Sequence, residues 1–145
     1  MKEQKRPRWQ LAIIDLKKKR GALLKPEEVV QEARDPRSPL HPKFEWRDGK
    51  AAQKYRLWQA RQLIEQVDVE IVSSGTVTQT VPAFVSLEVD RKKGGGYRST
   101  VEVLSNRQLR AHRLKQAIAE LDRWCTQYRD LNELSGVIKA RERLA

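Results

Sequence analysis

Between residues 68 and 104 the hydrophobic period drops from the 3.6 of a helix to the two of a strand, and this switch decides the fold class. Val69, Ile71 and Ser73 alternate with Glu70 and Val72. Gly75 marks a turn or bulge, and Thr76 to Val81 reads as a second strand that Pro82 ends or holds at an edge. Val85, Leu87 and Val89 alternate with Ser86, Glu88 and Asp90. Tyr97, Ser99, Val101 and Val103 alternate with Arg98, Thr100 and Glu102. Joined by Arg91-Lys92-Lys93-Gly94-Gly95-Gly96, these last two segments are expected to form an antiparallel hairpin.

Helical spacing lies on either side. Trp9, Ala12, Ile13 and Leu16 share one face of a first helix; Lys17 to Arg20 suit its C-terminal end, and Gly21 follows as its stop. A second helix is expected to start at Pro26, with Glu27 and Glu28 in its first turn and Val29, Val30 and Ala33 facing inward. Asp35-Pro36 ends it. Pro36, Pro39 and Pro42 keep residues 35–47 irregular, while Leu40, Phe44 and Trp46 anchor them to the body. Asp48 is placed to cap a third helix reaching about Gln66. Ala52, Tyr55, Gln59, Ala60, Leu63, Ile64 and Val67 fall on one side of it, and Lys50, Lys54 and Arg61 on the other. Ser105 with Gln108 reads as the capping box of the longest helix, which carries an apolar stripe of Leu114, Ile118, Leu121, Cys125 and Tyr128. A short last helix runs to about Arg143.

The expected fold class is therefore α+β: N-terminal short helices, a small antiparallel β-sheet with a Gly-rich hairpin, and a long C-terminal helix. Residues 1–20 form a basic N-terminal arm and short helix, residues 21–67 a helical region, and residues 68–145 the sheet plus C-terminal helices. The last two form one compact domain. The long helix at 106–131 pairs with its copy in a dimer or covers the sheet, and the dimer is preferred.

Charge narrows the function. The 145 residues hold 30 Lys and Arg against 19 Asp and Glu, a formal net charge of +11. An excess of this size favours polyanionic partners. It is concentrated: residues 1–20 carry eight basic and two acidic groups, and residues 91–115 eight basic and one acidic, whereas residues 68–90 carry four acidic groups and no basic one. The single cysteine, Cys125, excludes an internal disulfide and a thiolate zinc cluster and reads as a buried structural thiol. No stretch reaches the roughly 20 apolar residues of a membrane span, and Leu11 to Ile14 is too short for a signal-peptide core. A reducing cytoplasm fits these features.

Three features carry the binding reading. In Arg91-Lys92-Lys93-Gly94-Gly95-Gly96-Tyr97-Arg98, glycine N–H groups are suited to cradle a phosphate. Lys and Arg supply charge there, and Tyr97 is a candidate for stacking on a base. The segment resembles the tip of a DNA-binding β-wing; it is not a P-loop, because a strand follows the glycines and no Gly-Lys-Ser/Thr does. Helix, glycine turn, helix, loop, helix is compatible with a helix-turn-helix or winged-helix layout, with Lys50, Lys54 and Arg61 as the stripe facing DNA, although the second loop is long for it. Lys2, Lys5, Arg6 and Arg8 read as an arm that tracks phosphates. Catalysis is not expected. His41 and His112 stand apart from any nucleophile, and no metal, hydrolase or cofactor motif is present.

The run Asp35-Pro36-Arg37-Ser38-Pro39-Leu40-His41, with Phe44, Trp46, Ala51-Ala52, Tyr55-Arg56 and Gln59-Ala60-Arg61, resembles small proteins encoded by tailed bacteriophages and prophages. Pro82-Ala83-Phe84-Val85-Ser86-Leu87, the glycine segment and the helix around Leu121, Trp124 and Tyr128 extend the resemblance over most of residues 21–138. That family carries no assigned activity, so the resemblance implies context alone: a phage product in the bacterial cytoplasm or in a virion.

The expected function is that of a non-enzymatic, phage-encoded nucleic-acid-binding accessory or regulatory protein. It would contact the backbone of nucleic acid, DNA first of all, through Lys5, Arg6, Arg8, Lys50, Lys54, Arg61, Arg91, Lys92, Lys93, Tyr97 and Arg98, with no cofactor, no metal and no membrane. The alternative is a structural, assembly or host-adaptor protein, with Trp9, Trp46, Trp58, Trp124 and the long helix forming its interfaces to a phage or host protein.

Overall fold

A computed structural model of the chain describes residues 5–47, 49–73, 75 and 77–144. Three helices come first: α1 (Arg8–Arg20), α2 (Pro26–Ala33) and, after a 3-10 turn at His41–Lys43, α3 (Lys50–Glu65). Gly21 stops α1 with its N–H on the Lys17 carbonyl, and Pro26 opens α2, both as the sequence suggests. The residue before α3 is Gly49; the expected cap, Asp48, lies outside the described residues.

These helices and the proline loop share one core. Ile13, Leu24, Val29, Ala33, Leu40, Ala60, Ile64 and Val67 are fully enclosed in it. Each large aliphatic side chain buried there contributes about 2 kcal/mol. The loop is anchored by Leu40, Phe44 and Trp46, as expected from its composition. His41 stacks on Trp46 and touches the Ala33 carbonyl through Nδ1 at 2.8 Å, while the Trp46 indole donates to the His41 carbonyl at 2.8 Å.

The buried face of α3 differs from the expected one. Arg56 lies in it, 3% exposed, and Tyr55 lies outside it. The Arg56 guanidinium sits 5.4 Å from the Trp46 ring centroid and donates to the Glu45 carbonyl at 3.0 Å, so it fastens the loop to the helix.

Strands β1 (Asp68–Ser73) and β2 (Val77–Pro82) pair antiparallel, from Asp68 opposite Pro82 to Ser73 opposite Val77. The expected antiparallel pairing across the glycine segment is present but much shorter than the alternation suggests. Pairing is limited to β3 (Phe84–Val85) with β4 (Arg98–Ser99), and the flanks are helical: α4 (Glu88–Arg91) and α5 (Thr100–Ser105). Ser99 caps α5 by accepting the Glu102 N–H, and Leu87 and Val103 close a small second core with Val85. Tyr97 also bridges back to Leu24 through two backbone hydrogen bonds of 2.7 and 2.8 Å, which ties the glycine segment to the first core.

The longest helix is α6 (Arg107–Gln127), followed by a 3-10 turn at Asn132–Leu134 and α7 (Ser135–Glu142). Its cap is Asn106, which accepts from the Gln108 and Leu109 N–H groups. The expected cap, Ser105, instead donates to the Val101 carbonyl one turn back. The helix packs chiefly on α5, α7 and α4. Of its apolar stripe Cys125 is buried, Ile118, Leu121 and Tyr128 are half-buried, and Leu114 is exposed. The result is an α+β protein with a short antiparallel sheet component and a long helix in its C-terminal region. Among the described residues no helix is long and apolar enough to cross a membrane.

Candidate nucleic-acid interface

The glycine segment forms one wall of a cleft of about 840 Å³. Three arginines from three elements meet at it: Arg61 of α3, Arg91 of α4 and Arg113 of α6. Each is positioned by its local structure. Arg61 lies on the outward side of α3, where the sequence pattern puts it. Arg91 turns back onto Ser86, donating from Nε to the hydroxyl at 3.2 Å and from Nη2 to the carbonyl at 3.3 Å. Gln116 donates to the same carbonyl and accepts the Glu88 N–H at 3.1 Å, clamping α6 beside α4. Arg113 is one turn before Gln116, so the clamp carries it to the cleft.

The loop is held from inside. The Asp90 carboxylate, buried, takes both ends of the Arg98 guanidinium at 2.7 Å. This bidentate contact raises the Arg98 pKa further above its ordinary value. The Asp90 carbonyl accepts the Lys93 and Gly95 N–H groups at 3.0 and 2.8 Å. Gly96 has φ of 116°, and a Cβ there would meet Leu23 at 3.2 Å. Gly96→Ala therefore combines a left-handed backbone with a clash, and is expected to cost about 2 kcal/mol, read as a lower Tm in a thermal melt.

Tyr97 is buried and its hydroxyl donates to Glu65 Oε1 at 3.3 Å. Burial raises its pKa, the Glu65 carboxylate adds to this, and Arg61 and Arg91 pull the other way.

The structure sorts the residues expected to bind. Arg61 and Arg91 are brought together. Lys92 and Lys93 are exposed on the same loop, Lys92 within 3.8 Å of Glu88. Lys50 and Lys54 are exposed along α3. Tyr97 is corrected from a base-stacking residue to a floor residue, because its ring is enclosed. Arg98 is corrected from a free cation to the partner of Asp90. Arg6 is corrected from a free arm residue to a fastening, since it donates to the Asp68 carbonyl at 2.7 Å. Arg8 begins α1 and, like Lys5, lies away from the cleft. The idea of three open glycine amides is corrected too, because the Gly95 N–H is taken by Asp90. Sequence reasoning missed Arg113, the Glu27 and Glu65 carboxylates at the cleft, and the Ser86–Gln116 clamp. No local signal marks Arg113, whose place depends on the long-range contacts of Gln116 with Ser86 and Glu88.

The arrangement suits recognition of a phosphate by Arg61, Arg113 and the Arg91 donors that Ser86 leaves unused, against the negative charge that Glu27 and Glu65 bring to the same cleft. Among the described residues, no three His, Cys, Asp or Glu side chains group as a metal site would require. Compared with protein-family models, curated proteins and solved structures, the chain matches none.

Proposed function

We propose that this protein binds nucleic acid through its phosphates, as an accessory or regulatory factor that catalyses no reaction on it. The observation that carries the reading is the convergence of Arg61, Arg91 and Arg113 on the glycine-lined cleft. Lys92 and Lys93, exposed on the same loop, and the exposed Arg110 of α6, one turn before Arg113, add positive charge nearby. Arginine forks match phosphate oxygens, and a basic surface draws a polyanion over a distance. Glu27 and Glu65 are suited to accept from sugar hydroxyls or base amino groups. The resemblance to phage and prophage proteins would set that role in a bacterial cell and says nothing of the activity.

Fluorescence anisotropy tests this with labelled single- and double-stranded 20-mers at two salt concentrations. Submicromolar binding at low salt that falls steeply at higher salt is expected, because displaced counterions drive the association. Absence of binding to both at low salt would sink the reading.

A further inference from the structure

The outward side of α3 carries two aromatic rings with nothing over them. Tyr55 is 49% and Trp58 50% exposed, and their rings stack on each other with centroids 5.6 Å apart and planes 16° from parallel. The other tryptophan pairs are different. His41 and Trp46 stack inside the proline loop with Arg34 and Arg56 over the Trp46 ring, and Trp124 with Tyr128 is tilted and half-buried. Tyr55 and Trp58 are therefore the aromatic pair left open among the described residues.

Cations line one side of this pair. At 100° per residue, Lys50, Arg61, Lys54 and Trp58 span about 80° of the helix, Tyr55 lies about 60° beyond Trp58, and all five are exposed; Glu65, one turn past Arg61 in the same sector, is met by the Tyr97 hydroxyl. Lys50 and Arg61 are eleven residues apart, about 16 Å along the axis. Five stacked nucleotides at about 3.4 Å each cover that length. The strip ends at Arg61, where the arginine cleft begins.

We propose that this face of α3 is a platform for single-stranded nucleic acid, with Trp58 and Tyr55 stacking on unpaired bases while Lys50, Lys54 and Arg61 hold the adjacent phosphates. The proposal rests on the nucleic-acid reading above and adds to it the kind of nucleic acid recognised. Charge complementarity selects the occupant: an apolar protein surface would leave three cations unmatched, whereas a strand supplies a phosphate for each base. A duplex offers phosphates but no free base faces, so stacking favours the unpaired strand.

The test is anisotropy with dT20, rU20 and a 20-base-pair duplex, on the full chain and on Trp58→Ala and Trp58→Phe. Wild type is expected to bind dT20 or rU20 more tightly than the duplex, and the two single strands tell DNA from RNA. Trp58→Ala is expected to weaken single-strand binding roughly tenfold, with duplex binding little changed. Trp58→Phe keeps a ring face and restores most of the loss. Trp58 is half exposed, so the melting curve of Trp58→Ala should match wild type. Tighter binding of the duplex, or single-strand binding indifferent to Trp58→Ala, would overturn the platform while leaving the cationic cleft standing. Self-association in sedimentation that Trp58→Ala abolishes, with dT20 binding unchanged, would overturn it in favour of a protein interface. Absence of binding to all three would overturn both proposals.

Discussion

Replacing Asp90 by alanine is expected to lower stability by about 3 kcal/mol, a fall of about 10 °C in Tm. The carboxylate is 4% exposed and the Arg98 side chain 22%, so the pair is sheltered from water and salt. Deleting one partner leaves the other charge half enclosed without compensation, and that residue of desolvation is what makes such deletions severe. The pair also spans the glycine segment, closing the chain eight residues apart, so its loss loosens the loop. The double variant Asp90→Ala with Arg98→Ala is expected to be more stable than the sum of the two single losses predicts, because no orphan charge remains. Urea denaturation of the four proteins gives the coupling. Additive losses would mean that the two groups do not depend on each other.

Neutralising the cleft should have the opposite profile. Arg61→Ala with Arg91→Ala and Arg113→Ala is expected to reduce affinity for nucleic acid on the order of 100-fold at low salt. The slope of log affinity against log salt should become shallower by about two, since each lost phosphate contact releases fewer counterions. The fold should survive, because Arg61 and Arg91 are exposed and Arg113 is half exposed. Lys5→Ala with Arg8→Ala is the matched control: two cations are removed from an exposed segment away from the cleft, and affinity should fall less than about threefold. If the control variant loses as much as the cleft variant, binding follows total charge and not the site.

How much of this was legible in the sequence differs by segment. The α2 boundaries followed from Pro26 and Asp35-Pro36, where backbone sterics leave few choices. The proline loop was recognisable as anchored because Leu40, Phe44 and Trp46 are too apolar for solvent. The order of helices, sheet and helices came from the change in period. The segment from Val85 to Val103 was misread because its apolar alternation hides a helical i, i+3 pattern that crosses the two phases and recruits the polar Asp90 and Thr100 to the buried side. Leu87 and Asp90 are both buried at that spacing, as are Thr100 and Val103. A local signal for helix was present, since Ser99 and Glu102 make the Ser-x-x-Glu pattern that begins α5.

The candidate site was legible in part for a physical reason. A charge run is visible in sequence, but the partner of each charge is set by tertiary packing. Arg98 next to three glycines looks like a free cation until Asp90 closes on it. Arg56 was assigned to neither side of α3, yet occupies its core face because its guanidinium lies against Trp46 and its donors reach backbone carbonyls. Arg61 and Arg91 were recognised singly, and their meeting with Arg113 depends on the Gln116 clamp, which no spacing rule reveals.

The most direct measurement is a two-dimensional amide and arginine Nε NMR titration of the labelled protein with dT20 at low salt. The expected result is that the largest shift changes fall on Gly94 to Tyr97, on the side chains of Arg61, Arg91 and Arg113, and on the α3 amides around Tyr55 and Trp58. Binding whose shift changes are confined to the N-terminal helix, or to α7 and the half of α6 beside it, with the glycine amides unmoved, would contradict the account.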